Sequence, residues 1–412
     1  MTGGRTDTAR GGMLSPLRHR SFRLLASART IDYLGNGMAP IALSFAVLDR
    51  TGSVTDLGLV IGARSLANVL LLLVGGVLAD RFPRAVVLQG SAALAAVSQA
   101  VVAASVLGHF DSLALLAGLG VLNGAASAAS LPAAAALTNQ TVPPNLVRQA
   151  NALARMGIAA AGIVGSSVGG VMVGTLGPGW ALATDSASFV IVAVLFSRMR
   201  LDETKPRVRA SMLRELRVGW RTFVANTWVW AIVLQFLVFN AVVTGGINVL
   251  GPSIAQRTIG RTAWGLVLAG QTLGSLLGGL FAAHWQPRRA LFFGVVACFV
   301  DVLPLLALGY LPNLATLLAA MFLSGFLITQ FGVAWAVALQ RNIPEDKLAR
   351  VYSYDALGSF VAIPIGQVAA GPIALAFGDP STLAIGAGLI VLATAAVLVV
   401  PSVRTLTISD RR

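Results

Sequence analysis

Apolar residues run almost unbroken for about twenty positions at a time along this chain, and short stretches carrying charge, glycine or proline interrupt them. The pattern predicts twelve spans, near residues 22–48, 56–79, 85–107, 112–137, 149–174, 179–198, 227–253, 263–284, 290–310, 314–339, 351–376 and 381–401. Each can cross a bilayer, because ~20 residues at ~1.5 Å rise match a ~30 Å hydrocarbon core. Transmembrane strands would alternate over ~10 residues, whereas these runs are continuously apolar and rich in Ala and Gly. The expected fold class is an all-α membrane protein.

The pattern also repeats. Gly58-Leu59-Val60 opens the second span and Gly265-Leu266-Val267 the eighth, with Ser65 and Thr272, then Asn68 and Ser275, at matching offsets. Pro83-Arg84 and Pro287-Arg288 follow those spans, and Val142-Pro143 with Leu146 and Arg148 mirrors Ile343-Pro344 with Leu348 and Arg350. Two six-helix halves in the same orientation place a transport site near the midplane between them. The expected organisation is a tail at 1–20, a bundle at 21–198, a connector at 199–226, a second bundle at 227–401 and a tail at 402–412. In the connector, Met212, Leu213, Leu216, Trp220 and Phe223 share a stripe opposite Arg214, Arg217 and Arg221, the pattern of an amphipathic helix lying on a membrane surface.

Composition agrees: 56% of the residues are hydrophobic and 11% charged, against about 25% charged in soluble domains. The formal net charge of +14 invites a nucleic-acid reading, and its distribution removes it. With the N-terminus inside, only Arg50, Arg257 and Arg261 fall on the outer side, and Arg29 and Arg64 lie within spans; every other Lys and Arg is cytoplasmic. Both termini are therefore expected in the cytoplasm, with the first span retained as a helix; the excess of Arg over Lys and the abundance of Ala and Gly point to a GC-rich bacterial genome, and so to a bacterial inner membrane. The single Cys298 reads as a small packing residue, and His19, His109 and His284 lie in loops or at span ends, which gives no support to a histidine proton relay. There is no metal-ligand spacing, nucleophile–base set or phosphate loop, so neither an enzyme nor a cofactor is expected. The short connectors leave no room for a sizeable sensor domain.

Ionisable residues inside spans need a reason, since each costs at least ~2.5–3.5 kcal/mol near mid-membrane. Arg29, Asp32, Tyr33, Asn36 and Pro40 form one polar stripe on the first span. Asp32 lies about ten residues, or ~15 Å, from the inner helix end. It is either a titratable carboxylate that responds to Arg29, substrate and water, or half of a structural pair with Arg29. The seventh span carries Gln235, Asn240, Thr244 and Asn248, the fourth Asn123, Ser127 and Ser130, and the tenth Gln330 with Trp335. Arg64 and Asp185 have similar depth and read as a structural or gating pair, whereas Asp301 has no evident partner.

The turn Gly75-Gly76-Val77-Leu78-Ala79-Asp80-Arg81-Phe82-Pro83-Arg84 between the second and third spans resembles the signature loop of the major facilitator superfamily, with Gly76, Leu78, Asp80, Arg81, Arg84 and Leu88 in register. Pro83 replaces the usual second Gly and Ala85 the usual Lys. The fifth span, Gly165-Ser166-Ser167-Val168-Gly169-Gly170, resembles the antiporter motif of the family's exporters with Ser166 in place of Pro. The fourth-span pattern survives as Gly120-Val121-Leu122-Asn123-Gly124 without its Arg. Phe22-Arg23-Leu24-Leu25 and the loop look most like the branch containing enterobactin exporters and macrolide efflux proteins.

The resemblance implies two parallel-repeat six-helix bundles whose first, fourth, seventh and tenth helices line a central cavity. It implies a proton-coupled antiporter exporting an amphiphilic small molecule by alternating access, with Asp32, Arg29, Tyr33, Asn36, Arg64, Asn123, Gln235, Asn240, Asn248 and Gln330 as cavity residues. An uncoupled facilitator or importer is the alternative. Asp80 would face the amino end of the eleventh helix, and Arg81 and Arg84 would pair with Asp355 in an inner lock. Gly165, Gly169 and Gly170 would pack the fifth helix on the eleventh. The expected partners are a small molecule, protons and lipid, with no nucleic acid, and a monomer suffices.

Overall fold

A computed structural model describes residues 14–81, 83–199, 220–285 and 287–406. Twelve of its helices are long and apolar enough to cross a membrane. They are α1 (Arg20–Thr51), α2 (Val54–Arg81), α3 (Arg84–Leu107), α4 (Leu113–Thr141), α5 (Val147–Thr175) and α6 (Pro178–Ser197), then α7 (Thr227–Arg257), α8 (Arg261–His284), α9 (Ala290–Tyr310), α10 (Leu314–Asn342), α11 (Glu345–Phe360 continued by Ala362–Phe377) and α12 (Asp379–Val399). The predicted spans lie within a few residues of these, because span length is set by the bilayer and the ends by polar punctuation. Met212, Leu213 and Leu216 of the expected connector helix lie outside the described residues; Trp220 and Phe223 stack at 5.7 Å and both meet the ring of Tyr354 on α11.

Helices α1 and α12 meet one end of the bundle with Arg20 and Val399; this end is called the terminal face, and the opposite end the far face. Tight turns on the far face use glycine in the left-handed region, where a side chain would strain the backbone: Gly177 (φ 89°) before α6 and Gly378 (φ 80°) before α12. These two turns are repeat mates. So are the caps of α4 and α10, where Ser112 and Asn313 side chains accept from the amides of Leu115 and Thr316. The internal repeat thus reaches down to single capping hydrogen bonds.

Within the first half, α1 packs on α5 and α6, α2 on α4, and α3 on α4 and α6; within the second, α8 packs on α10, and α12 on α7 and α9. The halves meet through α5 on α8 and α2 on α11. This corrects the expectation that α5 packs on α11. Helices α5 and α11 are repeat mates, and an approximate two-fold axis that puts α5 on α8 must put α11 on α2. The glycines sit at those crossings: a Cβ on Gly170 would stand 2.7 Å from the Cα of Gly265, and one on Gly371 2.5 Å from the Cα of Thr55. Gly58 and Gly265, repeat mates from the sequence, each face the opposite half, against the Gln367 carbonyl and against Gly170.

Three breaks depart from straight helices. Helix α7 widens into a π segment at Thr244–Leu250, α9 tightens into a 3-10 turn at Cys298–Asp301, and α11 changes helix at Val361. Cys298 is a buried free thiol. The outside of the bundle is apolar, with Leu70, Ile365, Leu375 and Leu392 exposed, as a surface solvated by acyl chains requires.

Candidate functional site: a cleft between the halves and a polar side chamber

Two adjoining hollows lie among the helices. A cleft of about 610 Å³ is lined from the first half by Tyr33, Asn36, Pro40 and Ser44 of α1, Ile61, Arg64 and Ser65 of α2, and Gly162 and Ser166 of α5. The second half contributes Ile247, Asn248 and Pro252 of α7, Trp264, Leu268, Gln271 and Thr272 of α8, and Gln367 of α11. A side chamber of about 410 Å³ opens within the first half, among Arg29, Asp32, Tyr33, Asn36, Arg64, Ser91, Asn123, Ser127, Ser130 and the ring of Phe189. Tyr33, Asn36 and Arg64 line both spaces.

The α1 stripe explains the chamber. Positions 29, 32, 33 and 36 fall on one helical face, and here that face looks into the first bundle rather than only along the bundle axis. Asn36 donates to the Asp32 carbonyl at 2.9 Å. Arg29 and Asp32 form no ion pair within 4.0 Å, although Arg29 acts on the carboxylate electrostatically from farther off. The structural pair weighed from the sequence is therefore absent.

Arg64 and Asp185 also stand apart by more than salt-bridge distance. Asp185 is 1% exposed and sits beneath α1, where a side chain on Gly35 would collide with its carboxylate and with Ser188. Its Oδ1 has no hydrogen-bond partner. Arg64 instead lines both hollows and also borders a small gap beside Gln99.

The α7 stripe does not hold together. Gln235 donates to Thr394 of α12 at 3.0 Å, and Asn240 to the Ser359 carbonyl of α11 at 2.8 Å. Neither lines the cleft or the chamber; Asn248 lines the cleft. Gln235 and Asn240 are five apart in the regular α-helical part of α7, about 140° around the helix, and the π segment, with more residues per turn, begins between them and Asn248, so the three do not keep one face. Gln330 donates to the Gly278 carbonyl at 2.7 Å and borders a separate apolar groove on α9 and α10. Asp301, expected without a partner, accepts from Ser324 at 2.7 Å.

Asp355 accepts from Trp335 of α10 at 2.9 Å and from Ser359 at 3.2 Å. The side chains at Gly76, Asp80, Arg81 and Arg84 lie outside the described residues, so the expected lock with Asp355 does too. Gly165 and Gly169 let α5 lie against Leu34 and Met38 of α1, while Gly170 makes the crossing with α8.

Sequence reasoning overlooked Trp264, Gln271 and Gln367 as lining residues. For the two glutamines the signal was available: amides in otherwise apolar spans, on α8 and α11. Gln367 is 3% exposed and its Oε1 is unpartnered. On the far face Arg261 at the start of α8 joins the halves: it holds both carboxylate oxygens of Asp49 at the end of α1 and lies 5.1 Å over the Phe45 ring.

Comparison with known proteins accords with this architecture. The chain is 26% identical over 386 residues to the multidrug efflux pump Tap of Mycolicibacterium fortuitum, covering 90% of each, and 24% identical over 339 residues to the enterobactin exporter EntS of Escherichia coli O1:K1, covering 81% of this chain and 80% of that one. Among solved structures, the nucleoside transporter NupG superposes with a TM-score of 0.74 at 13% identity, over 92% of this chain and 98% of that one. A bacterial homologue of the iron transporter ferroportin superposes with a TM-score of 0.71 at 16% identity, over 94% and 99%. The profile of the Major Facilitator Superfamily matches residues 25–367, and the chain, a multi-pass membrane transporter and not an enzyme, belongs to that superfamily.

Proposed function

We propose that the protein is a proton-coupled exporter of an amphiphilic small molecule, working by alternating access in a bacterial inner membrane with the terminal face and both termini in the cytoplasm. The observation that carries this reading is the pair of adjoining hollows, a chamber lined by a carboxylate, Asp32, and a cleft between the halves, with Arg261 and Asp49 pairing across the halves on the far face. The scarcity of Lys and Arg on the far face supports the orientation. Likeness to two proteins named as exporters supports the direction.

A substrate that enters from the terminal face meets the cleft between the halves. Rocking the halves about the α5–α8 and α2–α11 crossings exposes it to the far face. Protonation of Asp32 and binding of the substrate's polar end exclude one another in the side chamber, and that exclusion exchanges protons for substrate.

Asp32→Asn tests the reading. In inside-out vesicles the variant is expected to lose pH-gradient-driven accumulation of substrate by at least tenfold while remaining folded and monodisperse. Accumulation equal to the unsubstituted protein would reject the role of Asp32. Counterflow indifferent to the pH gradient in the unsubstituted protein would favour an uncoupled facilitator.

A further inference from the structure

The charges around the side chamber are unevenly satisfied. Among the described residues Arg64 has no hydrogen bond and no ion pair within 4.0 Å, although a guanidinium presents five donors. Asp32 likewise has no basic group within 4.0 Å. Helices α1 and α2 set the two, an anion and a cation, on the lining of one space without direct contact. Arg29, one turn from Asp32 on α1, and Asp185 of α6, which acts on Arg64 from beyond 4.0 Å, complete the set. The wall that the second half contributes to the cleft carries no charge: it is Ile247, Asn248, Trp264, Leu268 and amides.

Arg29 and Asp185 compensate Asp32 and Arg64 only from a distance, and buried charges held in that way gain from a group of opposite charge in direct contact. A ligand with a single charge would satisfy one group and leave the other. A ligand bearing a basic and an acidic group satisfies both, with its basic group at Asp32 in competition with Arg29, and its acid on the Arg64 fork. The cleft then receives an apolar or aromatic body against Trp264 and Leu268.

We infer that the transported molecule is a zwitterionic amphiphile, read by Asp32 and Arg64 at its polar end and by the second half at its apolar end. The inference rests on the transport reading above and names its substrate class. It also agrees with exchange, because the basic group of such a molecule competes with a proton for Asp32 whereas a purely anionic ligand would not.

Three derivatives of one fluorophore test it: 3-(1-pyrenyl)alanine, a zwitterion; its methyl ester, a cation; and its N-acetyl derivative, an anion. Equilibrium binding to the purified full chain in lipid nanodiscs at neutral pH needs no proton gradient, so its outcome is separable from that of the vesicle assay. The zwitterion is expected to bind at least tenfold more tightly than either derivative. Arg64→Gln should weaken the zwitterion about tenfold and leave the ester unchanged. Asp32→Asn should weaken the zwitterion similarly and spare the N-acetyl form. Arg64→Lys, which keeps the charge without the fork, should fall between and serves where Arg64→Gln does not fold. A zwitterion bound no more tightly than both derivatives, saturable binding of none, or an Arg64→Gln variant that weakens all three equally overturns the proposal.

Discussion

Single residues in this protein are governed by the cost of polar atoms in hydrocarbon. Asp301 shows it plainly: a carboxylate that is 4% exposed, held by one hydrogen bond from Ser324, with Oδ2 unpartnered. Removing the donor leaves the group wholly unsatisfied, and such a loss costs about 1–3 kcal/mol. Ser324→Ala is therefore expected to lower the thermal midpoint in detergent, and Asp301→Asn in the same background to restore part of it. No change in the midpoint would show that water or relaxation compensates Asp301. The sequence announces the presence of Asp301 but not its partner, since the serine lies 23 positions away on another helix. Asp32, Arg29 and Arg64 were recognisable as candidates for the same reason, that charge in a span demands an account.

At the scale of elements, small residues set how closely helices cross. The α5–α8 contact at Gly170 and Gly265 is backbone against backbone, with no room for a side chain on either. Gly170→Val is expected to force the helices apart and reduce vesicle transport more than tenfold, with expression and monodispersity retained; transport within twofold of the unsubstituted protein would show the crossing to be dispensable. The glycine run in α5 was legible in the sequence, and its partner was not. Periodicity identifies which face is small, but the choice between α8 and α11 depends on how the repeats are arranged in space. The α7 stripe failed for a related reason. Gln235 and Asn240 are five apart in regular α-helix and so turn to different neighbours, and the π segment at Thr244–Leu250 then shifts Asn248 relative to both.

For the whole molecule, one ion pair joins the halves across the far face among the described residues, Arg261 to Asp49. The pair is partly exposed, with side chains 25% and 36% accessible, so it contributes about 0.2–1 kcal/mol. That suffices to bias a balance between open and closed far faces up to about fivefold. Ser44 lines the cleft beneath this closure. In a Cys298→Ser background, a cysteine placed by Ser44→Cys should react up to fivefold faster with a membrane-impermeant maleimide applied to intact cells when Asp49→Asn is added. An unchanged rate would mean that the glycine crossings alone keep the far face shut.

Span number, the repeat, the sidedness of charge and the candidate buried charges all follow from the linear order of residues. Each depends on local hydrophobicity or on offsets that survive without knowing what packs where. Partners could not be read that way. Folding turned the α1 stripe into a chamber within the first bundle, separated Arg29 from Asp32 and Arg64 from Asp185, sent Gln235 and Asn240 to neighbouring helices, and brought Trp264 and Gln367 to the cleft. Those outcomes depend on the rotation of each helix about its own axis and on the pseudo-two-fold relation of the halves, quantities set by close packing among residues far apart in the chain.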